Sequence, residues 1–305
     1  MSCLDVHQHA WPAALVEELR RRSHGPRVVA DRLLLDGEPD FALVPGAGVL
    51  APLAERQATD TADGVDRALL SLSSPLGIET LDPTEAAPLL DAWHGLAADL
   101  GPAHGLWAAV NLVEPDLGGL RDTLAAPSVV GLQVPATALL DPHALERLAP
   151  VLAVVEAADA PVLVHPGPAE PVAGPGEDLP GWWPALTSYT AQLTAAWMAW
   201  HVAGRALLPT LRICFAALAG LAPLHHERLT ARGGRFGAVD RHVYYDTSSY
   251  GPRAVDAVVR VVGVDPIVHG SDRPYAEPRD PGLGEAFSRA LFTTNPYHLL
   301  HGGVR

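Results

Sequence analysis

Short apolar runs rich in β-branched residues recur along the chain, and most of them are followed by Gly, Pro or Asp and then by a helix-like stretch. Eight of these runs are strand candidates, at residues 3–7, 68–72, 105–113, 129–134, 161–165, 211–216, 242–246 and 267–270. Several are apolar at nearly every position, as parallel strands covered on both faces are. Eight strands that mostly alternate with helices in 305 residues predict an α/β fold, a (β/α)₈ TIM barrel. A doubly wound open sheet is the alternative, although no Gly-x-Gly-x-x-Gly motif follows the first run.

Two segments interrupt this alternation. Residues 11–60 are long for a first connection, and the runs 27–35 and 40–44 on either side of a turn at 36–39 predict a small hairpin insertion over the barrel mouth. Residues 166–184 are rich in Pro and Gly and should form a loop after the fifth strand, followed by a helix before Pro209. Because no linker or internal repeat divides the chain, residues 1–305 are predicted to form a single domain.

The charged residues exclude several classes of function. All 21 basic residues are arginine, against 35 acidic ones, and the formal net charge is −14. Without lysine there can be no Schiff base, no lysine-bound pyridoxal phosphate and no metal pair bridged by a carboxylated lysine. The acidic balance argues against nucleic acid or an anionic membrane as a partner. Because no signal peptide, long apolar stretch or paired cysteine motif is visible, we expect a cytoplasmic protein.

The strongest motif is Asp5-Val6-His7-Gln8-His9, at the end of the first strand candidate. Because strand side chains alternate, His7 and His9 should point to the same side. His165 ends the fifth strand candidate and Asp272 follows the eighth. The carboxyl ends of barrel strands meet at one mouth, where three imidazoles and one carboxylate can bind zinc or another divalent first-row metal.

The chain resembles the amidohydrolase superfamily, in the branch that contains aminocarboxymuconate-semialdehyde decarboxylase and resorcylate decarboxylase. The similarity runs from Cys3 to about Leu300, and its motifs are Asp-x-His-x-His at 5–9, Gly-Val-Asp-Arg-Ala at 64–68, His-Pro-Gly at 165–167, Trp-Trp at 182–183 leading to Pro-Thr-Leu-Arg-Ile at 209–213, Tyr-Asp-Thr-Ser at 245–248 and Gly-Ser-Asp at 270–272. The resemblance implies a distorted barrel with one catalytic divalent metal, most often zinc. It also implies that His7, His9, His165 and Asp272 are the metal ligands.

One position departs from the family pattern. Such proteins usually have a histidine after the sixth strand, in an Ala-His-Gly-Gly-type turn, whereas residues 214–220 place Ala217 there. A positioned acid–base group typically contributes about 10²–10⁴ in rate, so its absence matters for the chemistry. Asp272, beside the metal, is then the predicted catalytic base. Asp246 is expected to hydrogen-bond within the site, and His269 to face the helices.

Candidates for substrate binding are arginines and aromatic residues near predicted strand ends. An anionic substrate could be held bidentately by Arg273, Arg253 or Arg56, and an apolar pocket could be lined by Trp182 and Tyr250. We therefore expect a small-molecule substrate and leave open whether the protein is a homo-oligomer.

The predicted function is hydrolysis of a small amide, lactone or cyclic carboxylate compound by a metal-activated water, with Asp272 accepting the proton. The alternative is metal-dependent, non-oxidative decarboxylation of a small carboxylic acid, which the resemblance favours. Proton transfer to carbon would leave more work for the missing histidine, so this alternative ranks second. A metal-binding protein without activity is the third interpretation.

Overall fold

Eight parallel strands form the central barrel, each hydrogen-bonded to its neighbours in chain order. The structure is a computed structural model that describes residues 2–35, 40–170 and 179–303. In chain order its strands are β1 (Leu4–His9), β2 (Arg27–Val29), β3 (Arg32–Leu34), β4 (Phe41–Ala42), β5 (Arg67–Ser71), β6 (His104–Ala108), β7 (Val129–Pro135), β8 (Val162–His165), β9 (Ile213–Phe215), β10 (Val243–Asp246) and β11 (Ile267–Val268). The barrel strands are β1 and β5–β11, which confirms the predicted (β/α)₈ barrel and all eight strand candidates.

The barrel is nearly closed by backbone contacts between β1 and the residues around and after β11. The N–H of Val6 donates to the carbonyl of His269 (2.9 Å), and the N–H of His9 donates to that of Arg273 (2.7 Å). In the opposite direction, the N–H of Asp272 donates to the carbonyl of His7 (2.9 Å). These bonds bring the metal-ligand candidates of the first and last barrel strands side by side.

The alternation of side chains along the strands separates two parts of the core. In β8, Val162 and Val164 pack with residues of the surrounding helices, whereas Leu163 packs with Trp107 and Tyr244 of other barrel strands. The barrel interior is therefore apolar in its middle. His165, two positions after Leu163, faces the same interior at the carboxyl end, which we call the mouth.

Helices cover the outside of the barrel. The α-helices with regular geometry span Ala13–Arg21, Leu53–Ala62, Pro83–Gly95, Leu117–Leu124, Pro142–Ala157, Trp183–Leu186, Ser188–Ala199, Arg205–Leu207, His226–Ala231, Pro252–Val262, Glu285–Arg289 and Asn295–His301. Short 3₁₀ turns span Gly48–Leu50, Ser74–Leu76, Ile78–Thr80, Leu96–Ala98, Ala136–Leu139 and Ala222–His225, and π-helical turns span Trp200–Gly204 and Ala290–Thr294. None of the helices in the described part of the chain has the length and apolar character that crossing a membrane requires.

The segment between β1 and β5 differs from its prediction in one respect. Residues 27–35 are not one strand, because the chain reverses at Ala30, which has a positive φ of 54°, and forms the antiparallel pair β2 and β3. Strand β4 then pairs with β3, while the predicted turn at 36–39 lies outside the described residues. The ring of Phe41 in β4 contacts that of Tyr275 at the mouth, with 5.6 Å between centroids. The assignment of 1–305 to a single domain, with 11–60 over the mouth, stays a prediction.

Candidate metal centre

The four predicted metal-ligand candidates come together at the mouth of the barrel. One ligand atom from each of His7, His9, His165 and Asp272 can be chosen so that all four lie within 4.8 Å of one another. The Nε2 atoms of His7 and His9 are 3.0 Å apart, and Oδ1 of Asp272 lies 3.2 Å from Nε2 of His9. The three imidazoles are buried and pack edge to face, with centroids 4.9–5.0 Å apart.

Hydrogen bonds on the far side of each ring determine which nitrogen faces the cluster. Nδ1–H of His9 donates to the carbonyl of Ser71 (3.0 Å), and Nδ1–H of His165 donates to that of Pro166 (2.9 Å). Because a carbonyl oxygen only accepts, Nδ1 must carry the proton in both rings. Nδ1–H of His7 likewise donates to Oδ2 of Asp246 (2.8 Å). In the neutral tautomers all three Nε2 lone pairs therefore face the cluster.

This donor set fits a divalent cation. Two Nε2 lone pairs at 3.0 Å repel each other unless a cation or a proton lies between them. Burial favours neutral His7, yet the carboxylates of Asp246, Asp272 and Asp5 raise its pKa to about 9. Burial lowers the pKa of His9 and, more strongly, that of His165. The metal-free centre thus holds a proton on His7, and a metal must displace it.

Asp246, at the end of β10, orients His7 and is itself firmly held. Burial disfavours its charge, but His7 and the two hydrogen-bond donors of Ser248 keep the pKa of Asp246 below its ordinary value. Its Oδ1 also accepts from the N–H of Ala217 (2.8 Å). Ala217 begins a run of left-handed residues that continues to Leu221, and this turn directs the Ala217 N–H at the carboxylate. The position of the expected histidine therefore still contacts the site through its backbone.

Asp272 is the most exposed of the four candidate ligands, at 19%. Its backbone N–H donates to the carbonyl of His7, and its φ of +62° is one that aspartate tolerates better than most residues. Burial disfavours the charged carboxylate, but His9, His7 and His165 hold the pKa of Asp272 below its ordinary value. Oδ2 accepts from the Ser249 hydroxyl (3.3 Å) and is thus the oxygen directed away from the imidazoles.

Tyr275 is a mouth residue that the sequence analysis missed. Its ring lies edge-on to that of His9, with 5.1 Å between centroids, and its hydroxyl hydrogen-bonds the Ser73 hydroxyl (3.2 Å). Ser73 also accepts from Nε1–H of Trp11 (3.0 Å) and lies 3.3 Å from Nδ1 of His9. The available signal was its position three residues after Asp272, in the loop that follows the last barrel strand.

Arg273, predicted to bind substrate, is occupied by carboxylates of the protein. Its Nη2 lies 2.5 Å from Asp63 and 3.2 Å from Glu277, and its Nη1 lies 3.7 Å from Asp60. Burial works against its charge, yet the ion pairs raise the pKa of Arg273. A substrate carboxylate would have to compete with three charges already in place, so these contacts indicate a structural ion pair.

The other two predicted arginines differ from each other in their surroundings. Arg56 is buried, donates from Nη2 to the carbonyl of Gly48 (2.7 Å), and has its pKa lowered by burial despite Asp60 and Tyr275. Arg253 is exposed in the first turn of the helix Pro252–Val262, and within the described residues it has no carboxylate partner. Of the three arginines, Arg253 is the one whose charge is not compensated by the protein.

The predicted aromatic lining is not assembled as a pocket by the described residues. Trp182 is 59% exposed and contacts Trp183, with ring centroids 5.9 Å apart. Tyr250 is half-buried against the outer core, and burial raises its pKa. His269 packs its ring on Phe292 (4.3 Å between centroids), as its position in the strand predicts.

Glu79 is a buried carboxyl group in the loop after β5. The Ser74 hydroxyl donates to its Oε1, whereas Oε2 has no hydrogen-bond partner among the described residues. Ser74 in turn accepts from Nε2–H of Gln133 (2.6 Å), an inward-facing residue of β7. Burial outweighs these hydrogen bonds and raises the pKa of Glu79 to about 7. The loop beside the candidate metal centre thus contains an acid that ionises near neutral pH.

Replacement of Glu79 by glutamine is expected to remove a pH dependence from the stability of the fold. The folded protein keeps the Glu79 proton above pH 4.5 and the unfolded chain releases it, so wild-type stability falls as the pH rises from 4.5 through 7. The free energy of unfolding of Glu79→Gln, relative to that of wild type, should therefore rise by on the order of 3 kcal/mol between pH 5 and pH 8. Urea unfolding of both metal-free proteins at the two pH values measures this, and a difference that does not vary with pH would refute it.

Comparison with solved structures places this geometry among known barrels. IDCase of Metarhizium anisopliae, in apo form, is 18% identical with a TM-score of 0.80 over 98% of this chain and 97% of that chain. A protein described as an amidohydrolase II is 21% identical, with a TM-score of 0.73 over 98% of this chain and 99% of that chain. The 5-carboxyvanillate decarboxylase of Novosphingobium aromaticivorans, with bound manganese, is 16% identical with a TM-score of 0.72 over 98% and 97%. The chain has the fold of the amidohydrolase barrels. No family model and no curated protein sequence matches it.

These similarities confirm, at the level of the fold, the resemblance that the sequence motifs indicate. They cover 98% of this chain and 97–99% of the other chains, so the similarity is one of the overall fold. At identities of 16–21% they show the fold, while substrate and reaction have to be argued from the site.

Proposed function

We propose that the protein is a metal-dependent, non-oxidative decarboxylase of a small carboxylic acid, within the amidohydrolase superfamily. The observation that carries the proposal is the convergence of three Nε2 lone pairs and the Asp272 carboxylate at the mouth of the barrel. Among barrels of the same fold, a 5-carboxyvanillate decarboxylase is described with bound manganese. This support for decarboxylation replaces the preference for hydrolysis, which rested on Ala217. Either manganese or zinc suits three imidazoles and a carboxylate.

Different residues of the site would bind the metal and transfer the proton. His7, His9, His165 and Asp272 would hold the metal, which when bound supplies positive charge that polarises the oxygens of the substrate. In the reaction the bond between carbon and the carboxylate breaks, CO₂ leaves, and one proton takes its place on carbon. Oδ2 of Asp272, partly exposed and directed away from the imidazoles, is the atom that would relay this proton from solvent. The hydroxyl of Ser249, which donates a hydrogen bond to Oδ2, would hold that oxygen in position.

The substrate class follows from the charges at the mouth. Without lysine, a carboxylate must be held by arginine, the backbone, a histidine or the metal. Since Arg273 is paired with three carboxylates and Arg56 is buried, we propose Arg253 for this contact. Tyr275, against His9, would form an aromatic wall of the same space. A small aromatic acid suits these groups best.

The experiment is a turnover assay on protein loaded with zinc or manganese. Incubation with a panel of hydroxybenzoates and related carboxylic acids should release CO₂, measured as bicarbonate, and chelation should abolish the release. Hydrolysis of amides or lactones without CO₂ release would replace this proposal by the hydrolase, which Ala217 in place of the family histidine favours. Tight metal binding with no turnover of either panel would indicate a protein without activity.

Introduction of histidine at position 217 tests the role assigned to Asp272. Histidine tolerates the left-handed backbone of Ala217, so the N–H bond to Asp246 should survive. If Asp272 handles the proton, Ala217→His should change kcat by less than about tenfold, whereas a missing acid–base group would restore about 10²–10⁴. Ala217→Asn, which has a similar preference for this backbone but no titratable group, is the matched control. A gain of a hundredfold with histidine alone would contradict the assignment.

A further inference from the structure

A second cavity lies at the opposite end of the barrel from the candidate metal centre. Its volume is about 560 Å³, within the range of small-molecule sites. It is bounded by the helical segment 197–205 and by the loop 235–241 that leads into β10. Because β10 begins at Val243 and ends at Asp246 near the metal ligands, this cavity is at the amino-terminal end of the strands. It is therefore separate from the mouth.

One wall of the cavity consists of nearly parallel rings. His201 stacks on Trp197 with centroids 5.2 Å apart and planes 9° apart, and Phe236 lies 5.8 Å from each of them. Nε2–H of His201 donates to the carbonyl of Arg235 (2.8 Å), which fastens the loop to the helical segment. Offset parallel rings at such spacings present flat apolar faces, and a planar ring fits best against them.

Trp200 lines the cavity but is packed within the protein. It is 3% exposed, and the guanidinium group of Arg205 lies 5.2 Å from the centroid of its ring. Trp200 begins the π-helical turn Trp200–Gly204, and such turns are frequent at functional sites.

The charges around the cavity are positive although the chain as a whole is acidic. Arg205, which lies over the Trp200 ring, is paired with Asp240 at 2.9 Å. Arg235 and Arg241 also line the cavity, and no carboxylate is paired with either of them in the described part of the chain. The cavity thus combines a wall of aromatic rings with two guanidinium groups that are not paired with carboxylates, in a protein of net charge −14.

We propose that this cavity is a binding site for a small aromatic carboxylate, distinct from the candidate metal centre. The ring would lie against the Trp197–His201–Phe236 wall, and the carboxylate would pair with Arg235 or Arg241. The rings of the wall select a planar apolar body, and the arginines select a negative charge.

The test is calorimetric titration of three probes into the metal-free full-length protein. Benzoate should bind with 1:1 stoichiometry, whereas acetate, which lacks the ring, and benzamide, which lacks the charge, should bind at least tenfold more weakly. The proposal would be overturned if benzamide bound as tightly as benzoate. It would also be overturned if benzoate did not bind at concentrations up to about 50 mM, where a site with a millimolar Kd is nearly saturated. Removal of the metal eliminates carboxylate binding to the ion itself.

Variants then locate the bound benzoate. Phe236→Leu keeps an apolar side chain but loses one ring of the wall, and we expect up to about tenfold weaker binding. The double change Arg235→Gln and Arg241→Gln alters only loop residues and should weaken binding by about tenfold or more. Arg121→Gln, an exposed arginine of the helix Leu117–Leu124 outside the cavity, is the matched control and should leave benzoate binding unchanged. Arg253→Gln reports binding at the mouth: if it weakens benzoate binding and the cavity variants do not, the benzoate is at the mouth and the proposal is wrong.

Discussion

Replacement of His165 by asparagine is expected to abolish metal retention and turnover. His165 is the only one of the four candidate ligands on β8, and its ring closes the cluster against both His7 and His9. Asparagine is shorter and offers no lone pair at the position of Nε2, so the site would lose one of three nitrogen ligands. Metal affinity should fall by more than the roughly 10–100-fold that removal of a ligand's hydrogen-bond partner costs.

The measurement is metal content after gel filtration, together with the rate of CO₂ release. His269→Asn is the matched control, because His269 is also a buried imidazole near the end of a barrel strand but packs on Phe292. It should retain a full equivalent of metal even where the packing change lowers thermal stability. If His165→Asn still binds one equivalent tightly, the four-residue centre is not the metal site.

The ligand set was predictable because it depends on a rule of topology. Parallel barrel strands all end at one mouth, so polar residues at the ends of three apolar runs must gather there. The eight strands were visible for a related reason: strands covered on both faces have apolar residues at almost every position. The closure between β1 and residues 269–273, which sets the 3.2 Å approach of Asp272 to His9, follows from the same geometry.

Side-chain pairing across the mouth was not predictable from the sequence. Arg273 follows a metal-ligand candidate directly, which suggested substrate binding, but its partner Asp63 is 210 positions away. Tyr275 was missed because only the folded loop shows that its ring reaches His9. Long-range ion pairs and ring contacts of this kind leave no periodic signal in the sequence.

Backbone conformation explains the remaining differences. The hairpin reverses at Ala30 in a left-handed conformation, which alanine adopts at a cost of roughly 1–2 kcal/mol. Because this residue is neither Gly nor Asn, the sequence does not indicate a turn here. The same holds from Ala217 to Leu221, where only Gly220 favours the left-handed region. Leu218 and Ala219 are buried in the core, and their packing offsets the cost of this conformation.

Replacement of Asp246 by asparagine should weaken metal binding by about 10–100-fold when measured above pH 9. Three donors, from Ala217 and from the backbone and hydroxyl of Ser248, point at Oδ1 of Asp246, so the amide oxygen of asparagine must occupy that position. The amide NH₂ then faces Nδ1 of His7, which becomes the acceptor. The ring proton moves to Nε2, and His7 loses the lone pair that a metal requires.

The pH dependence of binding separates this effect from simple loss of stability. In wild type a proton on His7, whose pKa is about 9, competes with the metal, so affinity should rise up to about tenfold per pH unit from 7 to 9. Without the Asp246 charge that proton is held less tightly, and affinity should level off at a lower pH. The loss of metal affinity caused by Asp246→Asn is therefore smaller at pH 7 than at pH 9.5.

Titration with chelator-buffered zinc at both pH values measures this loss of affinity. Ser248→Ala, which keeps the hydrogen bond between His7 and Asp246, is the control. An equal deficit at both pH values would mean that Asp246 does not act through His7.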